Sequence, residues 1–313
     1  MGPESKAEIA GASGYRHHDY AASLQEFGKP RPLRRCGGWL LERQIEGSAS
    51  RDAMGCYPLF ACNDWSKLHI DLDETGPDII SVALVADPFG EYDPTYLGQC
   101  FPDLVVPFKE HHIIDLRSSP DSFVDAHHAR NARKALATLE VEHCPRPSDF
   151  AAEWIALYDN LIQRHGIRGL TAFSVSSFEK QLAVPGLVMF RASYKGENVG
   201  MLLWYADSSV GYYHLGAYTD EGYKLRASFA LFWRAIEHFG AQGLRWLNLG
   251  AGAGASNDGA DGLTRFKRGW ANGTRTAYLC GRIFDRDRYN EIVRARQLGP
   301  TDYFPAYRKG EFG

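Results

Sequence analysis

The chain has 313 residues, of which 44% are hydrophobic and 23% are charged, and its 35 Lys and Arg against 38 Asp and Glu give a net charge of −3. This composition is typical of a globular protein with an apolar core, and the length fits one large or two medium domains. The charge balance argues against a strongly basic nucleic-acid-binding protein, and no apolar run approaches the ~20 residues of a membrane helix.

Residues 1–30 are polar and rich in Gly and Ala, and we expect them to be mobile. They contain no apolar stretch typical of a secretory signal. None of the six cysteines is spaced as CxxC, so we interpret them as reduced, mostly buried thiols of a cytoplasmic protein. Three pairs of adjacent histidines occur, but adjacent side chains rarely share a face. We therefore expect no metal site.

The first half of the chain is predicted to be rich in strands. Short apolar runs between Gly38 and Leu116 are separated by Pro and Gly, which is typical of strands joined by turns. A helix is predicted from Asp121 to Val141, and on it His127, Arg130 and Lys134 share one face. The prolines of HCPRPSD then indicate a domain boundary near residue 145.

The second half has clearer helical and strand patterns. In chain order they predict a helix over 148–166, a shorter helix over 176–182, a hairpin over 187–207, a third strand over 209–218, a long amphipathic helix from residue 223, a buried strand over 244–250, a strand over 274–284 and a last helix near 285–297.

The stretch WLNLGAGAGAS (246–256) resembles the phosphate-binding turn of a nucleotide-binding or methyltransferase fold. Such a turn follows the first strand of its domain and directly precedes a helix. Here it comes late in the chain and continues as NDGADG, whose acidic residues suit a phosphate poorly. We expect instead that Gly250, Gly252 and Gly254 allow a flexible loop to pass over a substrate.

The order of hairpin, third strand, long helix and following strand resembles the core of a GNAT acyltransferase. Three strings, YHLGAYTDEGYKLRASFALFWRAIEHFGAQGLRWLNLGAG, GLTRFKRGW and HARNARKAL, are similar to stretches of its Fem-like branch. The similarity is good over about 120–282. It implies an α/β (α+β) chain with two GNAT-like units in tandem, a diverged unit over 1–145 and an acyltransferase unit over 146–313.

Fem-like enzymes transfer an aminoacyl group from aminoacyl-tRNA to an amine. The resemblance therefore implies direct attack of an acceptor amine on an activated acyl group, with aminoacyl-tRNA as donor and no tightly bound cofactor. Acyl-CoA is the alternative donor, although YTDEGYKLRAS (218–228) lacks the glycines of the usual CoA-binding turn. A GNAT scaffold that binds small molecules or a partner without catalysis is a third possibility. The acceptor is expected to be an amine-bearing small molecule or peptide.

The resemblance and the chemistry of the residues together indicate the candidate site. The resemblance places Phe266 and Lys267 at the reacting centre, where the lysine supplies positive charge for an oxyanion. His214 is a candidate proton acceptor because its ordinary pKa lies near neutrality. The remaining candidates are cations and polar groups expected to bind substrate: Arg130, Asn131, Lys134, Tyr213, Lys224, Arg226 and Arg265.

Overall fold

The computed structural model of the chain describes residues 12–207, 209–252, 262–297 and 299–311, with Pro77 by its backbone only. The strands are β1 (Lys29–Leu33), β2 (Gly38–Gln44), β3 (Arg51–Gly55), β4 (Ser81–Val85), β5 (Leu104–Asp115), β6 (Glu140–Cys144), β7 (Leu187–Tyr194), β8 (Glu197–Asp207), β9 (Val210–Tyr218), β10 (Trp246–Gly250) and β11 (Gly273–Ile283). The helices are α1 (His18–Ser23), α2 (Leu68–Thr75), α3 (Pro94–Cys100), α4 (Pro120–Phe123), α5 (Ala126–Leu136), α6 (Ala151–His165), α7 (Val175–Gln181), α8 (Asp220–Lys224), α9 (Ala227–Ala241), α10 (Gly262–Arg268) and α11 (Arg286–Ala295).

The described strands form one sheet in the order β1-β2-β3-β4-β11-β5-β10-β9-β8-β7-β6. The same pattern occurs at both ends of the sheet. Antiparallel strands lead to one parallel pair, β3 with β4 at one end and β9 with β10 at the other. A helix lies between the two members of each pair in the chain, α2 in the first case and α9 in the second. The repetition agrees with two units of one topology in tandem.

At the centre of the sheet, strands from the first and second halves of the chain pair with each other. β11, late in the chain, pairs with β4 on one side and β5 on the other, while β5 pairs with β10. β6 precedes residue 145 and pairs with β7. The sheet therefore continues across the boundary that we expect near residue 145, and the division into units at that residue stays a prediction.

Both faces of the second-half strands are buried, each against its own helices. On one face α5 and α9 cover Leu202 and Trp204. On the other face α1, α6 and α7 cover Leu203 and Tyr205. Because successive side chains of a strand point to opposite faces, every strand here contributes to two separate cores.

The elements predicted for the second half are largely confirmed. The hairpin is β7 and β8, the third strand is β9, and the buried strand is β10. α6 begins close to the predicted position because Trp154 and Leu157 lie at helical spacing and are buried. It ends at Gly166, whose φ of 60° is the left-handed cap that glycine favours.

Two predicted elements differ from the structure, and one helix was not predicted. The helix expected from Asp121 to Val141 is two helices, α4 and α5, followed by the strand β6. The long helix expected from Tyr223 is interrupted at Arg226, which separates α8 from α9. The segment that carries Lys267, for which the sequence predicts no helix, is the helix α10.

The N-terminal region also differs from expectation. Residues 1–11 lie outside the described part, but residues 12–30 are packed rather than mobile. Tyr15 is 5% exposed and Tyr20 is fully buried, because α1 docks on α7 and its rings enter the core. All six cysteines are buried and unpaired, as expected. Among the described helices, none has both the length and the apolar character needed to cross a bilayer.

Candidate functional site

The site begins where two parallel strands separate. β9 and β10 pair at Trp246 with Val210, Leu247 with Gly211 and Asn248 with Tyr212. Among the described residues the pairing ends there, while β9 continues for six more residues to Tyr218. The two strands therefore no longer pair from Tyr213 onward, and we call the place where their pairing ends the gap.

Lys267 reaches this gap from α10. Its side chain is buried, with 5% exposure. The Nζ donates to the backbone oxygen of Ala251 at 2.6 Å and lies 5.2 Å from the centroid of the Tyr213 ring. The ammonium is thus held between the end of β10 and the side chain that begins the unpaired part of β9. Lys267 and Tyr213, two of the predicted site residues, are brought together.

Gly250 makes room for this ammonium. It has a φ of +72°, and a Cβ added there would lie 3.2 Å from Nζ of Lys267. Only glycine adopts this conformation readily. The structure therefore gives the first glycine of the run a role beside Lys267. Gly254 and the acidic residues after it lie outside the described residues.

Phe266 anchors the helix that carries Lys267. Its ring packs edge-on against Phe229 and Phe232 of α9, with centroids 5.1 and 5.0 Å away, and lies 5.6 Å from the ring of His128 on α5. These contacts hold α10 against α9 and so direct Lys267 into the gap.

His111 and Asn248 form a buried polar pair beside Lys267. Nδ1 of His111 lies 3.0 Å from Oδ1 of Asn248, and the same oxygen accepts the backbone N–H of Gly250 at 2.9 Å. Because a carboxamide oxygen can only accept, Nδ1 is the protonated nitrogen of the ring. Burial, aided by the charge of Lys267, lowers the pKa of His111 to about 4, so the ring is neutral at neutral pH.

Sequence reasoning missed this pair as a functional feature. In the sequence, His111 stands out only as half of the adjacent pair His111-His112, and Asn248 only as part of the buried strand predicted over 244–250. The usable signal was a polar residue in the middle of the apolar run WLNLG, since a buried amide needs a partner. The partner comes from β5, more than one hundred residues earlier, and no local pattern identifies it.

The structure does not place His214 beside Lys267. It follows Tyr213 in β9, so its side chain lies on the face of the sheet opposite the Tyr213 ring, which contacts Lys267. There Nε2 donates to Oε1 of Gln181 at 2.9 Å, and the hydroxyl of Tyr15 lies 3.2 Å from Nδ1. Burial lowers the pKa of His214 to about 3. With both ring nitrogens engaged in the core, His214 is placed as a structural histidine.

Lys224 and Arg226 do not share a first helical turn, contrary to expectation. Lys224 lies in α8 and pairs with Glu221 at 3.3 Å, both side chains being well exposed. Arg226 precedes α9 in a left-handed conformation with a φ of 60°. Its side chain is exposed at the end of α9 that also carries Phe229. Of the two, Arg226 is the cation at the start of a long helix.

The remaining predicted residues lie on α5 and α10. Arg130 and Lys134 are exposed on α5, and Arg265 is exposed on α10. Asn131 is buried, and its amide nitrogen contacts the ring of His127 at 3.0 Å. α5 packs on α9 and touches α10 through His128, so these cations surround the helices of the site without entering the gap.

One family model matches the second-half elements. Residues 126–268, from α5 to α10, match a family described as an acetyltransferase (GNAT) domain. The acyltransferase class predicted from the sequence is thereby confirmed. No curated protein sequence matches the chain at a significant level.

Solved structures share the fold over nearly the whole chain. The crystal structure of FemX has a TM-score of 0.67 and 13% identity, covering 90% of this chain and 96% of that one. The C-terminal domain of a proposed lysylphosphatidylglycerol synthetase from Agrobacterium fabrum has a TM-score of 0.61 and 14% identity, with coverages of 91% and 92%. L-PGS from Bacillus licheniformis has a TM-score of 0.57 and 16% identity, with coverages of 93% and 99%. These likenesses show that the chain shares the fold of FemX and of the two synthetase structures, in agreement with the predicted GNAT fold.

Proposed function

We propose that this chain, an acyltransferase with the GNAT fold, forms an amide bond by direct attack of an acceptor amine on aminoacyl-tRNA. The observation that carries the proposal is the buried ammonium of Lys267 at the gap between β9 and β10. A buried lysine is expensive to desolvate, so its position at the opening of a sheet, rather than on the surface, favours a chemical role.

Lys267 is suited to stabilising negative charge during the transfer. When the amine nitrogen attacks the ester carbon, the carbonyl oxygen becomes an oxyanion, and the ester C–O bond then breaks to release the 3′-oxygen of the tRNA. Both oxygens gain negative charge in the transition state. A fixed ammonium in a site that excludes water stabilises such charge far more than it would in bulk solvent.

The attacking amine must lose a proton, and we propose His111 rather than His214 as the acceptor. With Nδ1 donating to Asn248, the unprotonated nitrogen of His111 is Nε2. Its pKa of about 4 keeps the ring neutral, and therefore able to accept, throughout the neutral range. Proton acceptance by a positioned side chain contributes about 10²- to 10⁴-fold in rate.

The turn before α9 supports aminoacyl-tRNA over acyl-CoA. A CoA-binding turn holds the pyrophosphate with backbone N–H groups. Here α8 occupies that place and uses those groups internally: Tyr223 N–H bonds the oxygen of Thr219, Leu225 N–H that of Glu221, and Arg226 N–H that of Tyr223. Three amides that would have to hold a pyrophosphate are thus already bonded.

Acyl-CoA remains the second candidate donor, on one specific observation. The matched family is described as an acetyltransferase domain. The exposed Arg226 at the start of α9 supplies a cation beside a helix N-terminus, where phosphate is favoured. The same residue would serve a tRNA phosphate equally well, so it does not separate the two donors.

The acceptor is proposed to carry a primary amine. The exposed Arg130, Lys134 and Arg265 favour an acceptor or donor with negative charge near the reacting group. One structural neighbour is named as a lysylphosphatidylglycerol synthetase. Vesicles that mix phosphatidylethanolamine, which carries the amine, with anionic phosphatidylglycerol therefore belong in the acceptor panel beside amine-bearing peptides.

The donor is tested by thermal unfolding of the purified chain with three additions: bulk charged tRNA, the same tRNA after deacylation, and acetyl-CoA. A ligand that binds only the folded protein raises Tm. We expect a larger rise with charged tRNA than with deacylated tRNA and no rise with acetyl-CoA. The Lys267→Met variant should keep the rise, because binding precedes the chemical step.

The pattern of Tm changes distinguishes the two candidate donors. A rise with acetyl-CoA alone would replace aminoacyl-tRNA by acyl-CoA and leave the acyltransferase assignment intact. Equal rises with charged and deacylated tRNA would reveal tRNA binding without recognition of the aminoacyl ester, which contradicts the proposed donor site. No rise with any addition would count against both donors.

A further inference from the structure

A second group of polar side chains lies on α5, outside the gap. Asp125, the residue that caps α5, and His127 and His128 in its first turn each offer one ligand atom, and these atoms all lie within 4.8 Å of one another. Asp125 and His127 are exposed, whereas His128 is buried with 8% exposure. We call these three residues the α5 cluster.

The hydrogen bonding of His128 leaves one nitrogen with a lone pair. Its Nε2 lies 3.0 Å from the backbone oxygen of Phe266. A carbonyl oxygen can only accept, so Nε2 carries the ring proton and Nδ1 is unprotonated. Nδ1 is buried and has no hydrogen-bond partner among the described residues. It faces Asp125, whose Oδ1 is 3.8 Å away, a distance too long for a hydrogen bond.

The ring of His128 is fixed in this orientation by its neighbours. It packs edge-on against Trp270 and Phe229, with centroids 5.1 Å away in each case. A Cβ added to Gly269 would come within 2.2 Å of the ring. A glycine is therefore required where the ring passes, and Nδ1 is held in place before any ligand arrives.

We propose that the α5 cluster binds a divalent cation of the zinc class through Nδ1 of His128, a ring nitrogen of His127 and a carboxylate oxygen of Asp125. The nitrogen of His127 exchanges its contact with the amide of Asn131 for the cation. Two imidazoles and one carboxylate are a donor set that zinc accepts, with water completing the coordination. A metal-binding histidine typically donates its other N–H to a backbone carbonyl, and His128 does so to Phe266. The proposal is independent of the function proposed above.

An ion pair between His128 and Asp125 would be the competing explanation, and the geometry does not favour it. Nδ1 of His128 lies 3.8 Å from Oδ1 of Asp125. The same oxygen accepts the backbone N–H of His127 at 2.7 Å, the bond that caps the helix. The carboxylate is thus held by the backbone rather than by the imidazole of His128.

His127 and His128 are adjacent, and two neighbours on a regular helix point about 100° apart. Asp125 is the cap that precedes α5 and has a non-helical backbone conformation. Its carboxylate lies within 4.8 Å of a nitrogen of each ring, so it can bridge the two imidazoles. A cation there would be linked, through His128 and the oxygen of Phe266, to the helix that carries Lys267.

The test uses the full chain without an affinity tag, freed of metal, titrated with Co²⁺ as a spectroscopic probe. We expect visible absorption bands of a nitrogen-bound, low-coordinate Co²⁺ ion that saturate at one equivalent and disappear when Zn²⁺ is added. Asp125→Asn keeps the helix cap and should weaken binding by at least about 10-fold. His127→Ala should weaken it similarly. His18→Ala, at an exposed adjacent pair on α1, is the matched control and should change nothing.

A second measurement follows the link to α10. Saturating Zn²⁺ should raise Tm by about 2 °C or more and slow hydrogen exchange of the amides in residues 262–268. Both effects should be lost in Asp125→Asn. Absence of Co²⁺ bands in the wild-type chain would overturn the proposal. So would bands that survive Asp125→Asn and His127→Ala, or bands that require His18.

Discussion

Two buried histidines of one sheet show how neighbouring side chains, rather than burial, separate a candidate functional histidine from a structural one. His111 and His214 are almost equally buried, at 7% and 8% exposure, and burial lowers the pKa of both, to about 4 and about 3. His214 has both ring nitrogens engaged by Gln181 and Tyr15. His111 has one nitrogen fixed by Asn248 and lies close enough to Lys267 for the lysine charge to depress its pKa.

Burial and a lowered pKa, which the two histidines share, therefore do not by themselves identify a functional histidine. Perturbed pKa values occur in structural networks as well as in active sites. What distinguishes His111 is its neighbour, a lysine held at the opening between two strands. A histidine whose polar atoms are all bonded within the core has nothing left to offer a substrate.

The largest effect that tests the comparison is expected for Lys267→Met. If the ammonium stabilises transition-state charge, kcat should fall about 10²- to 10³-fold. Because methionine keeps much of the volume without the charge, Tm should change little. Transfer of labelled amino acid from charged tRNA to an amine acceptor, under single-turnover conditions, measures the loss. The exposed Lys67→Met is the matched control.

A smaller loss is expected for His111→Gln. Removal of the proton acceptor should lower kcat about 10²-fold. In the wild type, His111 is protonated only as the pH falls through about 4, so the acid limb of kcat/KM that belongs to this residue should lie near 4 rather than 6.5. That limb should be missing in the variant. A variant with full activity and an unchanged pH profile would show that His111 is a structural residue and not the proton acceptor.

Much of the site-bearing half was predictable from local patterns. The hairpin, β9, β10 and the helix ending at Gly166 follow from the spacing of apolar residues and from glycine at a cap. The resemblance of GLTRFKRGW indicated Lys267. The choice between Tyr213 and His214 was not predictable, because one position in a strand reverses the face, and only the packed structure shows which face holds Lys267.

Other features needed the tertiary structure. The interruption at Arg226 is invisible to helical periodicity, because Arg is a good helix former. The hydrogen-bonded pair of His111 and Asn248 joins β5 to β10 at the centre of the sheet, where strands from the two halves of the chain pair. The first half was predicted least well, since residues 12–30 lack long apolar runs and yet supply Tyr15 and Tyr20 to the core.

The structural histidine is tested by stability rather than by activity. His214 has a pKa of about 3 in the folded protein and about 6.5 when unfolded. Its contribution is complete above pH 6.5. As the pH falls from 6.5 towards 3, His214 binds a proton in the unfolded chain but stays neutral in the folded chain. The free energy of unfolding should therefore fall by up to about 1.4 kcal/mol per pH unit because of this residue.

The His214→Gln variant should lose this slope. Urea unfolding between pH 4 and pH 6 measures it in both proteins. Asp87, whose pKa burial raises to about 6, acts with the opposite sign, but it is present in both proteins and cancels in the comparison. The kcat of the folded variant should stay within about twofold of wild type. A loss of activity like that of His111→Gln would contradict the distinction between the two histidines.

The smallest effect is expected for Arg226→Gly, on the face that holds Lys267. A residue other than glycine in the left-handed conformation is strained by about 1 kcal/mol. Relief of that strain, partly offset by the greater flexibility of glycine in the unfolded chain, should raise the free energy of unfolding by about 0.5 kcal/mol. If the exposed guanidinium binds donor phosphate, KM for the donor should rise at the same time while kcat is kept.

Arg226→Lys, which keeps the charge and the strain, should show neither the gain in stability nor a comparable rise in KM. A gain in stability with KM unchanged would identify the strain at Arg226 as a property of the α8–α9 junction alone.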